Sequence, residues 1–169
     1  AAHWRKRAAG QPFFAVFNIT VSHESQIRKR PHELKHDPAA FELPPYYPDT
    51  PVVRKTVARF HDCVTAMDKE VGNILKQLEE DGLAENTIVF FYSDHGTGMP
   101  RGKRMLHDSG MRVALMARFP KRYQHLVSSP PGSVNEELVS FVDFPATALN
   151  LAGLAKPDYM QGRRFLGEN

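Results

Sequence analysis

The sequence predicts an α/β domain, a mostly parallel sheet sandwiched by helices. Three observations predict it. Residues 12–20 and 88–92 are nearly continuous runs of apolar, aromatic and β-branched side chains. Runs of that kind read as strands buried on both faces, as strands in a helix-covered parallel sheet are. Between them lies one long stretch whose apolar residues recur in steps of three and four. The order strand, long helix, strand is the repeating unit of such folds.

Each element has its own signals. Residues 1–11 are basic and helical in propensity. Pro12-Phe13-Phe14-Ala15-Val16-Phe17-Asn18-Ile19-Thr20 is the first strand, and it runs into Val21-Ser22-His23. Residues 24–50 are rich in proline, charge and histidine. They are too long for a simple connector, and their His and acid residues fit no metal-ligand spacing, so they read as surface. Thr50-Pro51 opens the long helix, with Thr50 as N-cap and proline at the first position. Val53, Val57, Phe60, Val64, Met67, Val71, Ile74 and Leu78 form its apolar face, and Gly82 ends it. Cys63 lies beside that face with no thiolate-stabilising neighbours and reads as structural. Residues 111–120 give a third strand, and a helix is expected over 136–152.

Composition narrows the class. The chain has 169 residues, one domain's worth, with 41% hydrophobic and 24% charged residues. Its net charge of +3 comes from cations scattered among acids. That argues against a nucleic-acid stripe and suits an anionic substrate. No apolar run is long enough to cross a membrane. The N-terminal Ala1-Ala2-His3-Trp4-Arg5-Lys6-Arg7 lacks the apolar core of a signal peptide and does not begin with Met, so an excised piece of a longer protein is expected. A single cysteine excludes an internal disulfide framework.

Chemistry concentrates at the expected strand ends. Ile88-Val89-Phe90-Phe91-Tyr92 leads into Ser93-Asp94-His95-Gly96. In open α/β sheets ligands bind beyond the carboxyl ends of the strands. A carboxylate beside an imidazole there either ligates a metal or caps a turn. His23 is placed alike on the first strand, and two such groups can converge on one site. The loop Thr97-Gly98-Met99-Pro100-Arg101-Gly102-Lys103-Arg104 brings cations close to Asp94. A lysine on a glycine-flanked loop either anchors a tetrahedral oxyanion or is simply solvated.

Taken in order, these motifs resemble the sulfatases of the alkaline-phosphatase superfamily. The resemblance rests on Pro12-Phe13-Phe14 with His23, Val64-Thr65-Ala66-Met67-Asp68, Asn86-Thr87-Ile88-Val89 into Ser93-Asp94-His95-Gly96, and Gly102-Lys103-Arg104 with Asp108-Ser109-Gly110. Val142-Asp143-Phe144-Pro145 and Gln161-Gly162-Arg163 complete it, so it covers residues 12–166. It implies an alkaline-phosphatase-like fold and hydrolysis of sulfate esters of small molecules or glycans. It implies Lys103 and His23 as catalytic and substrate-binding residues, Arg101 as a further substrate-binding cation, and Asp94 and His95 as part of the shell of a divalent metal, usually calcium. It implies an exported location. The family's nucleophile is a formylglycine made within a Cys/Ser-x-Pro/Ala-x-Arg motif, and this sequence contains no such motif; Cys63-Val64-Thr65-Ala66-Met67 does not match it. Residues 1–169 therefore resemble the C-terminal part of the catalytic domain without its nucleophile, a piece expected to be inactive alone. A phosphodiesterase or phosphonate hydrolase of the same superfamily, or a non-catalytic anion-binding domain, is the alternative.

Overall fold

The computed structural model describes residues 3–167, which fall into two units. The first holds the described residues up to Gln77 together with Asp94–Val113. The second holds Leu78–Ser93 and the described residues from Ala114 onward.

In the first unit a 3₁₀ turn over Trp4–Lys6 is capped by His3, whose ring accepts from the Arg5 backbone N–H. Trp4 is buried, with the rings of Phe13 and Phe17 centred 6.0 and 5.6 Å away. Residues 12–20, expected as the first strand, form none. A strand needs a neighbour to satisfy its backbone N–H and C=O groups, and among the described residues no segment pairs with this one. Its aromatic residues act singly: Phe13 and Phe17 pack on Trp4, while Phe14 is 83% exposed.

Helix α1 (Glu24–Arg28) is short, and His23 caps it. Helix α2 (Pro51–Glu80) begins as its sequence requires, with Thr50 Oγ1 accepting the Val53 N–H at 3.3 Å. Every member of its expected apolar face is buried or half-buried. Arg54 grips the preceding segment. It donates to both oxygens of Asp49, at 2.5 and 2.8 Å, and to the carbonyls of Pro38 and Phe41.

The 24–50 segment is not the plain surface its composition predicts. Asp62 of α2 is 4% exposed, and both of its oxygens are taken. His32 Nε2 lies 2.7 Å from one and His36 Nδ1 2.6 Å from the other, and the Lys35 and His36 backbone N–H groups donate as well. The Arg59 guanidinium meets the His32 ring and donates to the Gln26 carbonyl at 3.1 Å. A buried carboxylate holds charge only with such partners, so Asp62 ties the proline-rich segment to α2. Cys63 is buried and free beside it, and burial pushes its thiol up from the ordinary value, as a structural cysteine requires. Helix α3 (Asp108–Met111) completes this unit.

In the second unit Gly82, at φ +67°, terminates α2. Its N–H donates to the Glu79 carbonyl and the Leu83 N–H to the Leu78 carbonyl, the paired bonds that close a helix through a left-handed residue. Strand β1 (Val89–Tyr92) pairs with strand β2 (Leu115–Arg118) in a register running from Val89 opposite Arg118 to Tyr92 opposite Leu115. The pairing is antiparallel, so the parallel sandwich is not what the described residues form. β1 is half-buried and Met116 of β2 is 60% exposed. An antiparallel pair can leave one face to water in this way. Its covered face meets an aromatic cluster: the Phe144 ring lies 6.1 Å from Phe90, 4.8 Å from Tyr92 and 5.4 Å from Phe165.

Helix α4 spans Asp143–Leu151, shorter than the expected 136–152. The missing turns have a cause. The Asn135 side chain takes the Glu137 N–H at 2.8 Å, and the Asp143 carboxylate takes the Ser140 N–H at 2.9 Å. Side chains that capture backbone donors compete with the helical ladder. Asp143 also accepts the Arg163 N–H at 2.9 Å, and Thr147 Oγ1 accepts the Phe165 N–H at 3.2 Å, so the aperiodic tail is pinned to α4. These backbone donors hold the Asp143 carboxyl below its ordinary range, against the opposing effect of burial.

Candidate functional site

The expected site residues Lys103, His23, Arg101, Asp94 and His95 all belong to the first unit. His23 does not end a strand; it precedes α1 and caps it. Even so, its Nε2 lies 3.3 Å from Lys103 Nζ, across 80 residues of sequence. An ammonium only donates, so this contact requires a bare lone pair on Nε2. The ring proton then sits on Nδ1, where Ser25 Oγ, 3.0 Å away, accepts it in place of the cap on the Ser25 N–H. In the other tautomer Nδ1 accepts the Ser25 N–H at 3.3 Å and Nε2 carries the proton. The state of the Lys103 contact thus decides where His23 keeps its proton.

Glu24 is the residue that sequence reasoning missed. Its Oε1 lies 3.9 Å from Lys103 Nζ and 3.3 Å from Arg104 Nη2. Partial burial works against its charge, but the fields of Lys103 and Arg104 outweigh that and hold the carboxyl below its ordinary range. The carboxylate therefore orients the two cations. The signal was available in the adjacency His23-Glu24, an acid next to a candidate ligand, but no spacing marked its distant partners.

The loop bearing Lys103 is held tightly. The Lys103 N–H donates to the Thr97 carbonyl at 2.7 Å. Arg101, two residues before Lys103, and Arg104, directly after it, both have positive φ, +64° and +72°. Non-glycine residues reach that region only where the surroundings impose it, and such strain clusters at functional loops. Gly98 seats the loop on α1, since a Cβ there would lie 2.3 Å from Glu24 Cβ and 3.1 Å from Glu24 Cα. Gly98→Ala must push the loop off Glu24 and part Lys103 from His23. On the expectation that Lys103 serves the reaction implied by the resemblance, Gly98→Ala should lower turnover of a sulfate ester by the complete protein about tenfold or more, because a misplacement of about 1 Å is costly. Wild-type turnover in steady-state kinetics would mean that this contact does not position Lys103.

Asp94 and His95 are together. Asp94 Oδ2 lies 3.5 Å from His95 Nε2, and His95 Nδ1 lies 2.7 Å from the Gly96 carbonyl oxygen. A carbonyl only accepts, so Nδ1 carries a proton, and Nε2 is the ring nitrogen on the side of Asp94. Among the described residues no group of three or more His, Cys, Asp or Glu side chains is arranged to hold a metal. Arg101 is engaged elsewhere, with its guanidinium 4.5 Å from the Tyr46 ring centre and 3.4 Å from His107 Nδ1. Among the described residues no helix is long and apolar enough to cross a membrane.

Comparison with known proteins places these groups in context. The family model described as Sulfatase matches residues 1–154. An ulvan-active sulfatase of Formosa agariphila is 38% identical over 99% of this chain and 33% of its own length. An N-acetylgalactosamine-6-sulfatase of Canis lupus familiaris is 31% identical over 90% of this chain and 27% of its own length. An N-sulphoglucosamine sulphohydrolase of Homo sapiens is 31% identical over 73% of this chain and 24% of its own length. The chain thus spans about a quarter to a third of the curated relatives it matches. With most of its length matched by the family model and these identities beside it, the chain belongs to the sulfatase family.

Proposed function

We infer that this chain supplies the anion-binding and proton-handling side of a site that hydrolyses sulfate esters, with a sulfated glycan or small molecule as substrate. The observation that carries the reading is the meeting of Lys103 with His23, backed by Glu24 and Arg104. Lys103 donates to a sulfate oxygen, where charge grows as the ester bond breaks. An oxyanion that takes Lys103 releases Nε2 of His23. In its charged form His23 then gives the Nε2 proton to the departing alcohol oxygen. It returns to the neutral ring with the remaining proton on Nδ1, facing Ser25 Oγ. Arg101, stacked on Tyr46, adds positive field to the same loop.

The donor set of Asp94 and His95 fits a share of a divalent-cation shell: one carboxylate oxygen and the imidazole Nε2, with the proton of the neutral ring held on Nδ1 by the Gly96 carbonyl. A hard cation such as calcium takes about six to eight ligands, so these two would be only part of the shell. When bound, such a cation supplies positive charge that stabilises the sulfate oxygens. The nucleophile, a formylglycine in this reading, comes from outside this sequence, and so do the remaining ligands. The relatives include sulfatases whose names specify ulvan and N-acetylgalactosamine, which favours a glycan substrate; an exported location belongs to the same reading.

Release of inorganic sulfate from a sulfated saccharide by the complete protein tests the reading directly. Asp94→Asn in that protein is expected to lower bound divalent metal, measured by elemental analysis after gel filtration. Unchanged metal content would remove Asp94 from the shell.

A further inference from the structure

A cavity of about 230 Å³ in the first unit adjoins the Lys103 cluster and shares Glu24 and Gly98 with it. We propose that it binds the sugar next to the sulfated one, and that it selects a neighbour carrying its own anionic group, a carboxylate or a second sulfate ester. The inference rests on the sulfatase reading for the reaction and on the cavity itself for the selectivity.

The walls suit one ring. Tyr47 donates its hydroxyl proton to the Pro100 carbonyl at 3.1 Å, which fixes the phenol and leaves its ring as an apolar face. Val53 and Met99 extend the apolar wall. An aromatic face with aliphatic neighbours is a surface on which the C–H side of a pyranose packs. The volume falls below the roughly 300–1,000 Å³ of pockets for drug-sized molecules and so matches a single sugar.

The charge is what selects. Arg28 and Arg30 both line the cavity. Among the described residues the one carboxylate in the lining, Glu24, is engaged by Lys103 and Arg104 and also feels Arg28. Arg30 Nη1 donates to the Ile27 and Lys29 carbonyls, both at 3.1 Å, which orients its guanidinium. The Arg28 guanidinium feels the Glu24 carboxylate through space, and among the described residues no side-chain hydrogen bond fixes it, so it can turn to a second anion. Two guanidiniums beside an apolar wall match the planar, bidentate recognition of carboxylate or sulfate. A neutral sugar offers them only hydroxyl acceptors, which a guanidinium binds more weakly than a carboxylate or sulfate.

The test uses the complete protein and three saccharides sulfated at the same position, whose neighbouring residue is neutral, a uronate or itself O-sulfated. The readout is the ratio of kcat/KM for each anionic neighbour over the neutral one. Wild type is expected to prefer an anionic neighbour, and the larger of the two ratios identifies the group. Arg30→Gln is expected to lower that ratio about tenfold, the effect of losing one charge-assisted contact. Arg28→Gln, whose side chain holds no backbone, is expected to lower it in the same direction and guards against a folding defect in the first variant. A ratio near one in wild type, or one unchanged in both variants, overturns the proposal. If the complete protein cleaves no sulfate ester, the sulfatase reading fails by itself. Calorimetric binding of the same saccharides then decides: weaker binding of the anionic ones to Arg28→Gln supports the cavity assignment, and equal binding overturns it.

Discussion

Lys103→Ala in the complete protein is expected to cut kcat on a sulfate ester by about 10²–10³-fold, the usual effect of removing one donor aimed at developing charge. The substitution removes the ammonium that faces His23 Nε2 and one of the three cations acting on Glu24. The fold should survive, because the loop is held by backbone bonds, with the Lys103 N–H on the Thr97 carbonyl and the Gly96 N–H on the Gly110 carbonyl. An unchanged circular dichroism spectrum and Tm would separate lost chemistry from lost structure. Lys103→Arg keeps the charge but replaces a point donor by a planar fork, so partial activity is expected. Turnover within a few-fold of wild type in Lys103→Ala would take Lys103 out of the reaction.

Asp62→Asn is expected to have the largest effect on stability. The carboxylate is buried and accepts from His32, His36 and two backbone N–H groups. Breaking a buried, fully hydrogen-bonded carboxylate costs about 3–5 kcal/mol, which lowers Tm by on the order of 10 °C in a domain of this size. Asparagine would also turn an N–H₂ toward groups that donate. The pH dependence has a definite sign. Burial works against the Asp62 charge, but the hydrogen bonds from His36 and from the backbone hold its carboxyl below the ordinary 3.8. With the folded value below the unfolded one, its contribution is complete above about pH 4 and drains away as pH falls through the folded value. Burial, and then His36, also push the His61 imidazole below its ordinary 6.5. Its contribution is complete above about pH 6.5 and declines on acidification, so both groups weaken the fold in acid. Thermal melts from pH 7 to pH 3 would show it, and Asp62→Asn should flatten the lower part of that curve. A Tm equal to wild type would mean that the cluster does not hold the 24–50 segment.

How much of this was legible depended on how local the signal was. The long helix was readable because its Thr50-Pro51 start, apolar period and Gly82 stop all lie within its own span, and the structure places it over Pro51–Glu80. The loop bearing Lys103 and the Asp94-His95 pair were readable as motifs. Their contacts were not, because Lys103 meets His23 across 80 residues. Residues 12–20 show the limit of pattern reasoning. An apolar run specifies what a strand would bury but not which strand will pair with it, and without a partner these residues form no ladder. Antiparallel pairing of Val89–Tyr92 with Leu115–Arg118 was equally invisible, since a continuous apolar run carries no strand direction. His32 and His36 were misread for a related reason. Proline-rich segments usually run over the surface, and only Asp62, far along α2, draws these two inward. Glu24 escaped because its importance lies in Lys103 and Arg104, which the sequence sets 79 and 80 positions away.

The central claim is that Lys103 and His23 serve sulfate ester hydrolysis. The most direct measurement is initial-rate release of inorganic sulfate from a sulfated saccharide by the complete protein, run beside phosphate-diester cleavage under the same conditions. The expected result is sulfate release that exceeds diester cleavage and falls by about 10²–10³-fold in Lys103→Ala. Faster turnover of the phosphate diester, or no turnover of either substrate with divalent metal supplied, would contradict it.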